Sequence, residues 1–207
     1  MKRLFTLLPI SFTALSCEMI DEKLDDFLGR DDSSVTTIAN NQIWYTSTDG
    51  EIVEPYSGEY NNNADALTTF GVNIVSNTYV DGKGVIEFDG DVTTIGERAF
   101  DSCTSLTSVT IPDSVTTIGN FAFSRCRSLE SVTIPDSVTE IGDYAFYLCH
   151  SLTSVYCKAT TPPTGGSSVF GVNASGRKIY VPAESVEAYK SASGWSRYKS
   201  YIVGYNF

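Results

Sequence analysis

Residues 108–130 read SVTIPDSVTTIGNFAFSRCRSLE, and residues 131–153 read SVTIPDSVTEIGDYAFYLCHSLT. The two segments are identical at 16 of their 23 aligned positions. A looser copy, VIEFDGDVTTIGERAFDSCTSLT, occupies residues 85–107, and a broken copy begins at residue 154. A repeat of this length predicts an elongated solenoid, in which each unit buries its apolar side only against its neighbours.

Apolar residues recur at fixed slots of the repeat. Leu106, Val109 and Ile111 have the spacing L-x-x-L-x-L, in which three side chains point inward from a short strand. Pro112-Asp113 ends that strand in a turn, because proline cannot donate a hydrogen bond to a neighbouring strand. An Ala-Phe-x-x-Cys stretch predicts one short helical turn on the outer side. It follows a second turn marked by Gly96, Gly119 and Gly142.

The segment before the repeats predicts an N-terminal β cap over residues 41–84. Thr48-Asp49-Gly50 predicts a hairpin that joins Ile43–Ser47 to Glu51–Glu54. A second hairpin joins residues 73–79 to residues 84–88. These strands are expected to cover the open apolar end of the first repeat.

The segment after the repeats predicts a C-terminal cap over residues 158–207. A last strand is expected at Lys178–Val181 and a helix over Ala183–Ala192. The predicted fold class is therefore α/β and β-rich: a short solenoid over residues 85–157 with a cap at each end. Closure of the C-terminal end is assigned to a core of Trp195, Tyr198, Tyr201, Ile202, Tyr205 and Phe207.

The first sixteen residues have the features of an export signal. Two basic residues precede an apolar run, Leu4–Leu15, which is too short to span a bilayer. Ala14-Leu15-Ser16-Cys17 resembles a bacterial lipobox, although leucine normally stands where Ala14 does. Lipidation of Cys17 is expected, and simple cleavage without acylation stays open. Residues 17–40 are then an acidic, lipid-anchored tether.

The repeat motif I-P-x-S-V-T-x-I-G-x-x-A-F-x-x-C-x-S-L resembles the BspA-type leucine-rich repeat of bacterial surface proteins, over about residues 85–157. The acidic run after Cys17 resembles the surface-export signals of lipoproteins from anaerobic Gram-negative bacteria. The resemblance implies a leucine-rich-repeat solenoid that is exported, anchored in the outer membrane and exposed on the cell surface. It also implies a role in adhesion, because some members bind host matrix proteins or other cells.

The charge of the chain restricts its partners. The formal net charge is −11, and removal of Lys2 and Arg3 with the export signal makes it −13. Such a chain repels nucleic acid and anionic headgroups. No nucleic-acid partner is expected, and contact with a membrane is expected only through the N-terminal lipid.

Few residues of the sequence are suited to catalysis. Cys103, Cys126 and Cys149 share one repeat slot, which favours small buried apolar side chains over a disulfide between neighbouring coils. His150 is the single histidine and falls in an exposed slot. Asp113 is better explained by turn chemistry than by a cation site. The sequence predicts neither an enzyme nor a cofactor or metal site.

The outward side chains of the repeat strands form the predicted binding surface. A host matrix protein or a bacterial surface protein is the expected partner, and contact through these residues alone is expected to be weak. The alternative is glycan binding by exposed aromatic residues such as Trp44, Tyr45, Tyr156 or Trp195. The predicted partner-binding residues are Thr107, Ser108, Thr110, Glu130, Ser131, Thr133, Thr153, Ser154 and Tyr156.

Overall fold

The structure, a computed structural model, describes residues 38–55 and 69–207. The predicted export signal, Cys17 and the tether up to residue 37 lie outside the described residues. Residues 38–40 already belong to the folded unit, since Ile38 is buried. The Asn40 carbonyl also accepts a hydrogen bond from the Val92 backbone N–H (2.9 Å). The fold therefore includes the last residues of the segment predicted as tether.

The described elements are mostly strands, as the β-rich prediction requires. A six-residue α-helix, α1 (Val186–Ser191), and 3₁₀-helical turns at Ala183–Ser185 and Ser196–Tyr198 lie in the C-terminal cap. The strands are β1 (Gln42–Ser47), β2 (Ile74–Val80), β3 (Lys83–Phe88), β4 (Thr94–Ile95), β5 (Leu106–Thr110), β6 (Thr117–Ile118), β7 (Ser131–Ile134), β8 (Glu140–Ile141), β9 (Ser154–Cys157), β10 (Thr164–Gly165), β11 (Lys178–Pro182) and β12 (Ile202–Tyr205).

A large sheet forms one side of the solenoid, with strand order β12-β11-β9-β7-β5-β1-β3-β2. Within this sheet, neighbouring strands are parallel from β5 through β7, β9 and β11 to β12, because each repeat coil returns in the same direction. Ser108 pairs with Ser131 and Ser131 pairs with Ser154, so the register advances by one repeat per strand. A second parallel sheet, β10-β8-β6-β4, forms another side from two-residue strands.

The N-terminal cap continues the large sheet with antiparallel strands. The predicted β2–β3 hairpin is confirmed, with Asp81 and Gly82 both at positive φ as a type I′ turn requires. The predicted strand at Glu51–Glu54 is wrong: residues 51–55 form no strand. Because β1 pairs with β3 on one side and β5 on the other, no edge is left for a hairpin partner.

The outer side of the coils is built from hydrogen-bonded turns, so the predicted helical turn is wrong. Successive turns leave alternate N–H groups free to bond the next coil. The Phe100 N–H donates to the Ala122 carbonyl, and the Phe123 N–H donates to the Ala145 carbonyl, both at 2.7 Å. A helical turn would use those groups within one coil. The turns place non-glycine residues at positive φ: Arg98, Ser102, Phe121, Arg125, Tyr144, Leu148, Ser168 and Val172.

A column of phenylalanine rings runs through the core. Phe100, Phe123, Phe146 and Phe170 are all buried, and successive centroids are 5.1, 5.1 and 5.5 Å apart in stacked geometry. Each ring covers the apolar face of the next, which is how one coil buries its neighbour. Phe170 belongs to the broken copy, so that copy completes a fourth coil beyond residue 157. This coil is one residue longer, and the extra residue lies between β9 and β10.

Candidate functional site

The strand face is the outward side of β5, β7 and β9, and it holds the nine predicted partner-binding residues. Thr110, Glu130 and Thr153 are exposed, and the other six are half-buried. The register brings them into rows across the strands. The first row is Ser108, Ser131 and Ser154, and the second row is Thr110, Thr133 and Tyr156.

The N-terminal cap extends these rows, which the sequence did not indicate. In the antiparallel β1–β5 pair, Trp44 lies opposite Thr110 and Thr46 lies opposite Ser108. The Thr46 hydroxyl is hydrogen-bonded to the hydroxyls of Thr107 (2.5 Å) and Ser108 (2.6 Å). The cap is therefore joined to the first repeat by hydroxyl contacts on the strand face itself.

The C-terminal cap extends the rows in the other direction. Lys178 pairs with Ser154, and Tyr180 pairs with Tyr156. Residues 178–181 were predicted as a strand, and strict alternation along it already places Lys178 and Tyr180 on one side. That signal would have added both residues to the predicted site.

Four aromatic residues form an exposed group at this end, here called the tyrosine cluster: Tyr156, Tyr180, Tyr205 and Phe207. Tyr156 and Tyr180 stack at 4.7 Å, and Tyr205 meets both edge-on at 5.7 and 5.6 Å. Phe207 packs against Tyr205 at 5.0 Å. Tyr205 is 44% exposed and Phe207 52%, so their assignment to the cap core is wrong.

The remaining aromatic residues of the predicted cap core do close the solenoid. Trp195, Tyr198 and Ile202 are buried, and Tyr201 packs partly buried against them. The Trp195 indole N–H donates to the Pro163 carbonyl at 2.7 Å. β12 stays paired with β11 through Tyr205, and alternation along the strand places Ile202 on the core side and Tyr205 on the outward side.

The aromatic residues proposed for glycan binding are mostly inaccessible. Tyr45 and Trp195 are buried. The Tyr45 hydroxyl donates to the Asn77 side-chain oxygen (2.8 Å) and accepts from the Val53 N–H (3.2 Å), which explains its burial in the cap. The Lys83 ammonium lies 3.0 Å from the ring centroid of Trp44 and covers one ring face.

Charge is distributed unevenly along the solenoid. Residues 38–157 hold 16 acidic and 4 basic side chains, a net charge of −12. Residues 158–207 hold 2 acidic and 6 basic side chains, a net charge of +4. Lys178, next to the tyrosine cluster, and Lys199 are both exposed. A segment-by-segment charge count would have shown this polarity from sequence.

The cysteines of the described residues are part of the hydrophobic core or pack against it. Cys126, Cys149 and Cys157 are buried, Cys103 is half-buried, and all four are free thiols, as predicted for the repeat slot. The Cys126 and Cys149 thiols donate to the carbonyls of Phe100 (3.0 Å) and Phe123 (3.1 Å). Burial raises the pKa of the Cys103 and Cys149 thiols to about 12 and that of Cys157 to about 11. They are protonated at neutral pH and therefore poor nucleophiles.

No constellation for catalysis forms on the described surface. His150 is exposed, in the slot predicted for it. The Pro112 carbonyl accepts the Val115 N–H (3.1 Å), which places Asp113 in a tight turn. Within residues 38–55 and 69–207, no three histidine, cysteine or acidic side chains could hold a metal ion. The same ranges contain no helix long and apolar enough to cross a membrane.

Stacked coils with a parallel sheet on one side define a leucine-rich-repeat solenoid. Residues 83–192, more than half of the chain, match the BspA type leucine rich repeat region in six copies. The chain belongs to this family. The match assigns it a repeat domain of the protein-interaction class and indicates no catalytic family.

Two solved structures are similar to the chain. A leucine-rich repeat protein from Bacteroides ovatus ATCC 8483 is 27% identical, over 64% of this chain and 36% of that one, with a TM-score of 0.37. Another, from Bacteroides capillosus ATCC 29799, is 24% identical, over 70% of this chain and 96% of that one, with a TM-score of 0.40. The chain thus spans little more than a third of the Bacteroides ovatus protein. No functionally curated protein is significantly similar to it.

Proposed function

We propose that the chain is an exported, outer-membrane-anchored surface lipoprotein that adheres to a host matrix protein or to a protein on another bacterium. Its binding surface is the strand face together with the tyrosine cluster. The observation that carries this proposal is the group of four half-buried or exposed aromatic rings at one end of a polar strand surface.

Aromatic groups of this kind supply binding energy at protein interfaces. Truncating a tyrosine at the centre of an interface costs about 2 kcal/mol or more, while surrounding polar contacts mainly exclude water. Tyr156 and Tyr180 already hold each other in place, so little side-chain freedom is lost on binding. The serine and threonine rows beside them supply hydroxyl groups for the rim of the interface.

The number of residues at this surface also favours a protein partner. The nine predicted residues are few for a standard interface of roughly 20–30 residues per side. The two caps add seven residues at the same surface, which brings the total to sixteen. Display of many copies on one cell would supply the remaining strength through avidity. The added residues are Trp44, Thr46, Lys178, Tyr180, Val203, Tyr205 and Phe207.

The geometry of the tyrosine cluster favours a protein over a sugar as its ligand. Aromatic platforms for sugars need one ring face open to solvent. Tyr156 and Tyr180 each cover one ring face of the other, with an interplanar angle of 12°, and Tyr205 meets both edge-on. Glycan binding is therefore an outcome that the experiment below distinguishes.

A bead-display experiment tests the binding surface. Residues 18–207 contain every residue that the structure describes and would be immobilised at high density. They would be presented with matrix proteins, bacterial surface proteins and glycans. The test variant is Tyr180→Ala with Tyr205→Ala. The matched control is Thr116→Lys with Thr139→Lys, two exposed residues beside the second sheet.

The outcomes separate the two kinds of ligand. We expect protein binding that falls at least about tenfold in the tyrosine variant and is unchanged in the control, as for a hot-spot residue. Glycan binding that survives in the tyrosine variant would replace the proposal. Protein binding lost only in the Thr116→Lys, Thr139→Lys variant would move the site to the second sheet.

The anchoring part of the proposal has its own test. Cells that express the full chain would be fed an alkyne-labelled fatty acid. We expect the label to become attached to the protein and the protein to be found in the outer-membrane fraction. Cys17→Ser is expected to remove both signals. Labelling that persists in Cys17→Ser would contradict lipidation at this residue, and protease resistance on intact cells would contradict surface exposure.

A further inference from the structure

The large sheet ends in two outermost strands, β2 and β12. Within the described ranges, neither strand pairs with a further strand on its outer side. Natural edge strands are commonly protected from pairing by lysine or proline. The sequences IVSNTYV and IVGY contain no charged residue and no proline. A bulge between Ile74 and Ser76 lies at one end of β2 and leaves Asn77–Val80 regular.

Both edges also expose apolar side chains. Val75 and Val80 on β2 are 65% and 64% exposed. Val203 and Tyr205 on β12 are exposed as well. An exposed apolar strand without protective charges is a ready site for strand addition.

The two chain segments that contain the ends of the sheet carry opposite net charge. β12 belongs to the segment of net charge +4, and β2 to the segment of net charge −12. Lys199, just before β12, is exposed, as is Asp81, just after β2. Attraction between unlike ends of the same chain is therefore possible although the whole chain is acidic.

Strand direction makes the two edges compatible. β2, β3, β1 and β5 are successively antiparallel, and β5 is parallel to every strand up to β12. β2 therefore runs opposite to β12. In an antiparallel pair, the end of β2 lies beside the beginning of β12, which puts Asp81 of one copy near Lys199 of another.

We propose that a second copy of the chain docks end to end, with its β2 edge on the β12 edge of the first. The eight-stranded sheet then continues from copy to copy. The interface is heterologous, because different patches meet, and it leaves one free edge of each kind. Longer arrays are the expected result at high local concentration, as on a membrane surface.

Two end-blocked variants of residues 18–207 test this arrangement. The first is Val75→Lys with Val80→Lys, which places positive charge opposite the basic cap. The second is Lys199→Glu with Val203→Glu, which places negative charge opposite the acidic end. All four positions are exposed, and circular dichroism would confirm that both variants fold. Thr116→Lys with Thr139→Lys, away from both edges, is the matched control.

Sedimentation velocity gives the readout. The unmodified chain and the control are expected to form dimers and longer species as concentration rises. Each end-blocked variant alone is expected to stay monomeric. A mixture of the two is expected to associate again, because an intact β2 edge meets an intact β12 edge and the lysine-bearing β2 edge attracts the glutamate-bearing β12 edge.

Three results would overturn the proposal. One is a chain that stays monomeric up to about 1 mM, a concentration that corresponds to very weak binding. Another is dimerisation of one end-blocked variant alone, which would show a symmetric contact. The third is association that does not weaken between about 50 mM and about 500 mM NaCl, since screening reduces attraction between exposed charges.

Discussion

The cysteine slot shows how one residue type satisfies two needs of the coil. A buried thiol occupies little volume and behaves as a small apolar group. It is also a weak donor, and Cys126 and Cys149 each use it on a phenylalanine carbonyl of the preceding coil. The sequence predicted the burial from the 23-residue spacing, but the hydrogen bond depends on backbone geometry that the spacing does not contain.

The raised pKa values of these thiols predict that the protein loses stability at alkaline pH. Their pKa is raised in the fold by burial, to about 12 for Cys103 and Cys149, compared with about 8.5 in an unfolded chain. This difference in pKa adds to the free energy of unfolding. The added stability is complete below the pKa of the thiol in the unfolded chain and is lost as pH rises towards its pKa in the folded protein. We expect the free energy of unfolding to be flat up to about pH 8 and to fall steeply by about pH 10, measured by urea denaturation.

A single substitution checks the cause of this pH dependence. Cys126→Ala is expected to reduce the slope of unfolding free energy against pH by about 1.4 kcal/mol per pH unit above pH 9. Thr104→Ala, an exposed neighbour of the same slot, is the control and is expected to leave the slope unchanged. An unaltered slope in Cys126→Ala would assign the pH dependence to other groups.

Tyr205 and Phe207 show a limit of sequence reasoning at the residue scale. Residue type alone favours burial of both, and they lie beyond the last repeat, so no aligned slot constrains them. Tyr205 lies on the outward face of β12, beside Pro182, and Phe207 packs against it beyond the strand. The repeat slots, such as Phe123 and Leu129, were predictable because three copies agreed on them.

At the scale of elements, the turn side of the coil departs most from the sequence prediction. An Ala-Phe-x-x-Cys stretch has ordinary helical composition, yet in each of the first three coils the residue before its alanine and the residue before its cysteine adopt positive φ. Left-handed backbone costs a non-glycine residue about 1–2 kcal/mol. The hydrogen bonds between coils, such as the one from Phe123 N–H to Ala145, compensate for this cost. Local propensity does not include that contribution.

Ser102 offers a direct test of the left-handed turn. It is exposed and has φ 66°. Ser102→Gly is expected to stabilise the protein by about 0.5–1 kcal/mol, because relief of strain exceeds the added entropy of the unfolded chain. The measurement is thermal unfolding. Ser151→Gly, an exposed serine without positive φ, is the control and is expected to destabilise.

The glycine column has a different requirement from that of the turns. A Cβ on Gly119 would lie 2.7 Å from the Glu97 backbone nitrogen and 2.8 Å from the Gly96 carbonyl carbon. Gly96, Gly142 and Gly166 approach the backbone of the preceding segment at similar distances. The sequence indicated a turn at these positions. The structure shows that close approach of coils, rather than positive φ, excludes a side chain.

Gly119→Ala tests that close approach. The methyl group would force two coils apart, and overpacking of this kind costs about 1–3 kcal/mol. The expected result is a matching loss in the free energy of denaturant unfolding. Gly176→Ala is the control, since nothing lies within 4 Å of its Cβ position and its φ is not positive. Equal effects of both substitutions would contradict the role of the column.

At the scale of the whole molecule, the phenylalanine column joins the two caps. Phe70 meets Phe100 at 6.0 Å at one end, and Trp195 meets Phe170 at 5.8 Å at the other. Stability in such a stack is a sum over neighbouring coils. A short array therefore depends on every contact in the column.

Phe123→Ala is expected to cost about 3–5 kcal/mol, since it removes a ring stacked on both sides. Phe121→Ala is the control. Phe121 is half-buried, stacks on Tyr144 and has the Arg98 guanidinium over its ring, so its loss is expected to cost less than half as much. Denaturant unfolding monitored by circular dichroism measures both. A two-step transition in Phe123→Ala alone would show that the caps unfold separately.

The sequence predicted the solenoid and the strand face because both depend on a repeated pattern. The fourth coil was harder to recognise, because it retains Gly166 and Phe170 but lacks the I-P-x-S-V-T segment and is one residue longer. Trp44 and Thr46 lie beside the strand face because β1 of the cap pairs antiparallel with β5 of the first repeat. Long-range pairing of that kind leaves no periodic signal in the chain.

The constant register between coils has a consequence for how such a chain changes length. The first three coils contact one another through the same glycine, phenylalanine and cysteine slots. A duplicated coil therefore fits between two existing ones without alteration of either end. Recombination within the coding sequence could lengthen the row of serine and threonine hydroxyls by whole units. The strand face would grow in steps, while the two caps stay as they are.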